Sequence, residues 1–224
     1  LTLPATPAPP PTNASAAIDP ADDGVIFIDD VKPWIPAILS PTALIPTSIA
    51  AVAAAVTIGL LNGDRGPVVA TTLAALAGSL VFLAVIDART ERLPNAIVFP
   101  LYGAMGLGAI LGAFSGDVGA GQALMALACM LGAFAFWWIV AFALGGVGFG
   151  DIKLAGAMGL GLGLIGPWTT ALGTVAIPVV VGGAVSIALI AIGKRNMGIP
   201  FGPFLALGAI LAMASPGQFS GGLL

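Results

Sequence analysis

Two aspartates, Asp87 and Asp151, are the residues of this chain best suited to do chemistry as a pair. Asp87 closes one long apolar run, and Asp151 sits in Gly145-Gly146-Val147-Gly148-Phe149-Gly150-Asp151-Ile152-Lys153-Leu154, a glycine-rich break between two others. A carboxylate at the edge of apolar sequence is costly unless solvated or paired, which makes it a functional candidate. Each also has a local alternative. Asp is a favoured N-cap, so Asp151 could start the next helix by accepting from the backbone N–H of Lys153 or Leu154. Asp87 could be an interfacial residue beside Arg89 and Arg92.

Two carboxylates at close range do not both ionise easily, so one keeps a proton while the other acts as base. The ionised member can deprotonate a water that attacks a peptide carbonyl, and the protonated member can donate to the developing oxyanion. That chemistry needs no cofactor, metal or covalent nucleophile. The rest of the composition allows little else. The chain has no histidine, which excludes imidazole as base or ligand, and its single cysteine, Cys129, can form neither an intrachain disulfide nor a cysteine zinc site. Cys129 lies mid-run and reads as a small packing residue. Acid–base work at neutral pH falls to carboxylates, lysines or Tyr102. Gly148 and Gly150 suit a protease, because residues without Cβ let an extended substrate backbone lie close.

The elements that must position these acids are membrane helices. Of 224 residues, 58% are hydrophobic and 8% charged, with a mean hydropathy of +1.09, whereas about a quarter of residues are charged in a soluble domain. The apolar content comes in runs long enough for spanning helices rather than barrel strands. The expected fold is all-α, a polytopic bundle of about seven transmembrane helices, near 43–61, 68–86, 96–114, 121–144, 152–165, 170–192 and 199–214. Residues 1–42 read as a disordered, acidic, Pro/Ala-rich tail without the basic start and apolar stretch of a secretory signal. Residues 43–216 form the membrane domain and 217–224 a short tail. The net charge of −3 comes largely from Asp19, Asp22, Asp23, Asp29 and Asp30, so the lipid bilayer is the expected partner and nucleic acid is not.

Parity sets the orientation. With the N-terminal tail cytoplasmic, Lys32, Arg89, Arg92, Lys153, Lys194 and Arg195 fall inside and only Arg65 outside, a positive-inside pattern. Two complete spans separate Asp87 from Asp151, so both return to the same face and can be neighbours. Asp64 and Asp117 fall in external turns with local roles, Glu91 reads as a solvated loop charge, and Lys153 as a marker of the cytoplasmic boundary.

Three motifs in order carry a resemblance: Asp87 followed after a short basic stretch by Leu93-Pro94-Asn95; Gly148-Phe149-Gly150-Asp151 followed by Ile152-Lys153-Leu154; and Ile199-Pro200-Phe201-Gly202-Pro203 before the last span. Over about residues 68–214 the chain resembles the prepilin peptidases, or type IV leader peptidases, membrane aspartic proteases of the GxGD class. The resemblance implies that Asp87 and Asp151 are the catalytic pair. It places Gly148, Gly150, Lys153, Pro94, Asn95, Pro200 and Gly202 around the site as loop or substrate-binding residues. It also implies a bacterial cytoplasmic membrane location, an active site on the cytoplasmic face, and a prepilin or pseudopilin substrate cut after a glycine that precedes its hydrophobic helix. Larger family members carry paired CxxC motifs and methylate the new terminus. This chain has only Cys129 and is more similar to the short peptidases of Flp or tight-adherence pilus systems.

Two other readings fit part of the pattern. A transporter or pilus-assembly scaffold could use the glycine-rich break and its acid to bind an ion or a subunit, but the acids sit at run ends and no inverted repeat is evident. The signal peptide peptidase and presenilin type pairs GxGD with YD and PAL motifs, and neither occurs here. The oligomeric state is not legible.

Overall fold

The computed structural model describes residues 40–144, 147–192 and 200–215. Most of the acidic tail, Lys194, Arg195, Ile199 and the stretch 217–224 lie outside the described residues.

All described regular structure is helical, as the apolar runs require. The helices are α1 (Pro41–Leu61), α2 (Pro67–Thr90), α3 (Asn95–Ser115), α4 (Ala120–Leu144), α5 (Phe149–Gly163), α6 (Trp168–Ala171), α7 (Gly173–Ile177), α8 (Gly183–Ala191) and α9 (Gly202–Ala214). A π-helical turn, Pro178–Gly182, joins α7 to α8. The sixth run is therefore one apolar rod, broken where Pro178 removes a backbone donor. Each of the seven expected runs is helical, but among the described residues five helices have the length and apolarity to cross a bilayer: α1, α2, α3, α4 and the rod from Trp168 to Ala188. The other two, α5 with 15 residues and α9 with 13, are too short to cross the hydrocarbon core as straight helices.

The short helices are the inner ones. From Asp151 to Gly163 all of α5 is buried except Lys153 and Leu160. Its glycines make this possible. A Cβ on Gly159 would lie 2.5 Å from the Cys129 carbonyl oxygen, and one on Gly163 would lie 2.4 Å from the Ala126 Cα. The α4 and α5 backbones thus touch along a seam of small residues, the means of close helix approach in lipid. Cys129 is a buried free thiol on that seam, the packing role expected of it. Around α5, Leu73, Leu76, Leu80 and Leu83 of α2, Met105 of α3 and Leu205 of α9 complete the core.

The end opposite Asp87 and Asp151 is held by polar contacts between loops. Arg65 Nη1 donates to the Ile165 carbonyl and Gln122 Nε2 to the Leu164 carbonyl, satisfying groups at the end of α5. Asp117 Oδ2 accepts from the Val68 backbone N–H at 3.0 Å. It therefore caps the start of α2 from another loop, a longer-range role than the local turn expected for it. The two central tryptophans divide. Trp137 is core, its Nε1 donating to the Thr174 carbonyl at 3.2 Å, while Trp138 stands half exposed against Phe134 and Phe149.

Candidate active site

Asp87 lies in the last turn of α2 because the run of buried leucines ends there and the chain must turn back. Glu91 ends the helix in the left-handed region, φ 52°, with its N–H on the Asp87 carbonyl at 2.8 Å. Thr90 Oγ1 reaches both the Ile86 and the Arg92 carbonyls, at 2.9 and 3.2 Å. Residues 91–94 therefore form a tight strap. Pro94 then caps α3 through its carbonyl, which accepts from Ile97 and Val98 at 3.0 and 3.2 Å, so its lack of an N–H costs nothing at that position.

Asp151 occupies the third position of α5, and the cap is Gly148, whose carbonyl accepts from the Asp151 and Ile152 N–H groups at 3.0 and 3.4 Å. The capping role weighed for the Asp151 side chain is thus not realised. Two glycines ahead of it leave the backbone to make the cap, and the carboxyl turns inward, 7% exposed. Its Oδ1 is buried without a hydrogen-bond partner among the described residues.

The two carboxyl groups share one cavity of about 330 Å³, lined by Asp87, Glu91, Arg92, Leu93, Pro94, Gly148, Phe149, Gly150 and Asp151. Asp87 is 3% exposed, and its Oδ2 accepts from the Gly202 backbone N–H at 2.7 Å. The first turn of the last helix therefore supplies the donor that a buried carboxylate needs. A Cβ on Gly202 would lie 2.8 Å from the Asp87 Cβ and Oδ2, so only glycine fits there unless Asp87 moves. Gly150 is similarly confined, 2.8 Å from the Leu93 Cβ where its own Cβ would stand, and this contact closes the strap onto α5.

Of the nine residues singled out from sequence, Asp87, Pro94, Gly148, Gly150 and Asp151 line the cavity, and Gly202 touches Asp87 from behind. Asn95 and Lys153 stand beside the cavity bonded to each other, Nζ to Oδ1 at 3.0 Å, so Lys153 does more than mark a boundary. Pro200 is half-buried in the segment leading to α9 and is not in the lining. Glu91 is exposed, as a solvated loop charge would be, and it also lines the cavity. Sequence reasoning did not pick out Arg92, Leu93 or Phe149 as lining residues. Each lies inside or next to a motif it used, and the motif position was their signal. Among the described residues no cluster of acids and cysteine is arranged to hold a metal ion.

A family model for the type IV leader peptidases matches residues 74–192, which contain both aspartates and the strap. The chain belongs to the type IV leader peptidase family. It is 32% identical over 149 residues to the "Prepilin leader peptidase/N-methyltransferase" of Pseudomonas putida, covering 64% of this chain and 49% of that protein. It is 32% identical over 141 residues to the protein of the same name from Burkholderia pseudomallei (strain 1026b), covering 59% and 42% respectively. The chain thus spans about half the length of the curated relatives it matches. No solved structure matches it. Within this leader peptidase family member, the matched segment runs from α2 through α8, and the Gly202 contact to Asp87 comes from a helix beyond it.

Proposed function

We propose that this chain is a membrane aspartic endopeptidase that removes the leader peptide of type IV prepilins or pseudopilins at the cytoplasmic face of the bacterial inner membrane. The observation that carries the reading is the burial of Asp87 and Asp151 around one cavity in a chain of this family.

The pair holds one proton. Asp87, with Oδ2 already engaged as an acceptor by Gly202, is suited to be the base. It takes a proton from a water whose oxygen attacks the scissile carbonyl carbon. Asp151, with a buried oxygen that has no hydrogen-bond partner among the described residues, is suited to carry the proton and give it to the developing oxyanion. The tetrahedral intermediate collapses with cleavage of the C–N bond, the amine leaves with a proton returned by the pair, and a carboxylic acid and a new N-terminus result. Gly148 and Gly150 leave room for the substrate backbone beside Asp151, with the strap from Glu91 to Pro94 as the facing wall.

The test is co-expression with a candidate prepilin, following the substrate's size and sequencing the product's new N-terminus. A transporter or scaffold role predicts no cleavage at all. The position of both acids at the ends of their helices, rather than mid-span, favours the protease.

A further inference from the structure

Lys153 is the one cation on α5, two residues beyond Asp151, and its ammonium is held by contacts to α3 and to the first turn of α5. Its Nζ donates to Asn95 Oδ1 at 3.0 Å and lies 5.0 Å from the centre of the Phe99 ring and 4.6 Å from that of Phe149. An ammonium between two aromatic faces is held by both, the more so when half-buried. Its backbone is held as well, because the Tyr102 hydroxyl donates to the Lys153 carbonyl at 2.6 Å. Tyr102 in turn sits against Gly156, where a Cβ would lie 2.2 Å from the hydroxyl oxygen.

Asn95 and Phe99 belong to the first turns of α3, and Phe149 to the first turn of α5. Asn95 directly follows the strap that forms one wall of the cavity, and Phe149 and Asp151 belong to the opposite wall. The two walls have no covalent connection nearer than the whole length of α3 and α4. We propose that Lys153, with Asn95, Phe99 and Phe149, is a clasp that holds the strap against the first turn of α5 and so fixes the geometry between Asp87 and Asp151. Lys153 is on this account a positioning residue and not a substrate ligand. The inference rests on the peptidase reading for its consequence in catalysis, while the clasp itself is a structural relationship that can be measured separately.

The test uses the full chain, purified in detergent, with a prepilin whose cleavage has been verified. Lys153→Met is expected to lower kcat on the order of tenfold or more, because small misplacements of reacting groups are that costly, while KM changes by less than about twofold. Lys153→Arg, which keeps the donor and the contact with both rings, recovers most of the loss. Asn95→Leu lowers kcat similarly, and the Asn95→Leu, Lys153→Met double variant loses no more than the worse single variant, as for two halves of one contact. Hydrogen exchange of the backbone amides of 91, 92, 93 and 95 rises in Lys153→Met. A raised KM with unchanged kcat would make Lys153 a substrate ligand and overturn the proposal, as would multiplicative losses in the double variant. Unchanged exchange in the strap would overturn it too. If the wild-type chain cleaves no prepilin, the peptidase reading is what fails, and the exchange comparison alone decides the clasp.

Discussion

The backbone N–H of Gly202 lies 2.7 Å from Oδ2 of Asp87, joining the start of the last helix to the end of the second. A carboxyl group 3% exposed would otherwise be buried with little to replace water. The contact explains why Pro200-Phe201-Gly202-Pro203 belongs to the site although it is remote in sequence and Pro200 itself does not line the cavity. Phe201 anchors the turn by packing edge-on to the buried Trp137, ring centres 6.0 Å apart.

Gly202→Ala should therefore act through Asp87. The added Cβ would meet the carboxyl at 2.8 Å and displace it. Cleavage per folded molecule is expected to fall on the order of a hundredfold, the scale of a misplaced catalytic group, with the protein still inserted in the membrane. Initial rates at matched amounts of folded protein check this.

Gly159→Val should fail by a different route. Its Cβ would stand 2.5 Å from the Cys129 carbonyl, and backbone cannot yield as a flexible side chain can. The α4–α5 seam must open, at a cost of at least about 1–3 kcal/mol. A lower melting temperature in detergent and reduced accumulation are the expected readouts, in contrast to the Gly202 variant, which is inserted but cleaves slowly.

Glu91→Gly should stabilise the strap. Glu91 is the one described non-glycine residue with positive φ, at 52°, and an L-residue in that region costs about 1 kcal/mol relative to glycine. A small rise in melting temperature checks the strain. Activity measured on the same variant tells whether the carboxylate at the cavity mouth contributes to turnover.

Much of this was legible in the sequence because lipid imposes a simple rule: apolar runs must be helices, and their number fixes which loops share a face. That rule brought Asp87 and Asp151 to one end of the bundle. The family motifs then picked out Pro94, Gly148, Gly150 and Gly202. What remained hidden depended on direction and depth. A run of glycines does not tell which helix will be innermost, so α5 read as another span, although its short length and close seam with α4 place it at the centre. Asp151 read as half of a pair but also as a candidate cap, because an aspartate in a glycine-rich break often is one, and only the fold shows that the cap position falls to Gly148. Lys153 read as a boundary charge because sequence spacing cannot reveal a contact with Asn95, which lies at the start of a helix two spans away.

The central claim is that Asp87 and Asp151 together cleave a prepilin. The most direct measurement is processing of a co-expressed prepilin by the wild-type chain and by Asp87→Asn and Asp151→Asn, with sequencing of the mature N-terminus. Asparagine keeps the shape of each side chain but cannot exchange a proton as a carboxyl group does. The account predicts a mature product with the wild type and none with either variant, each present in the membrane at wild-type levels. Undiminished processing by both variants would contradict it.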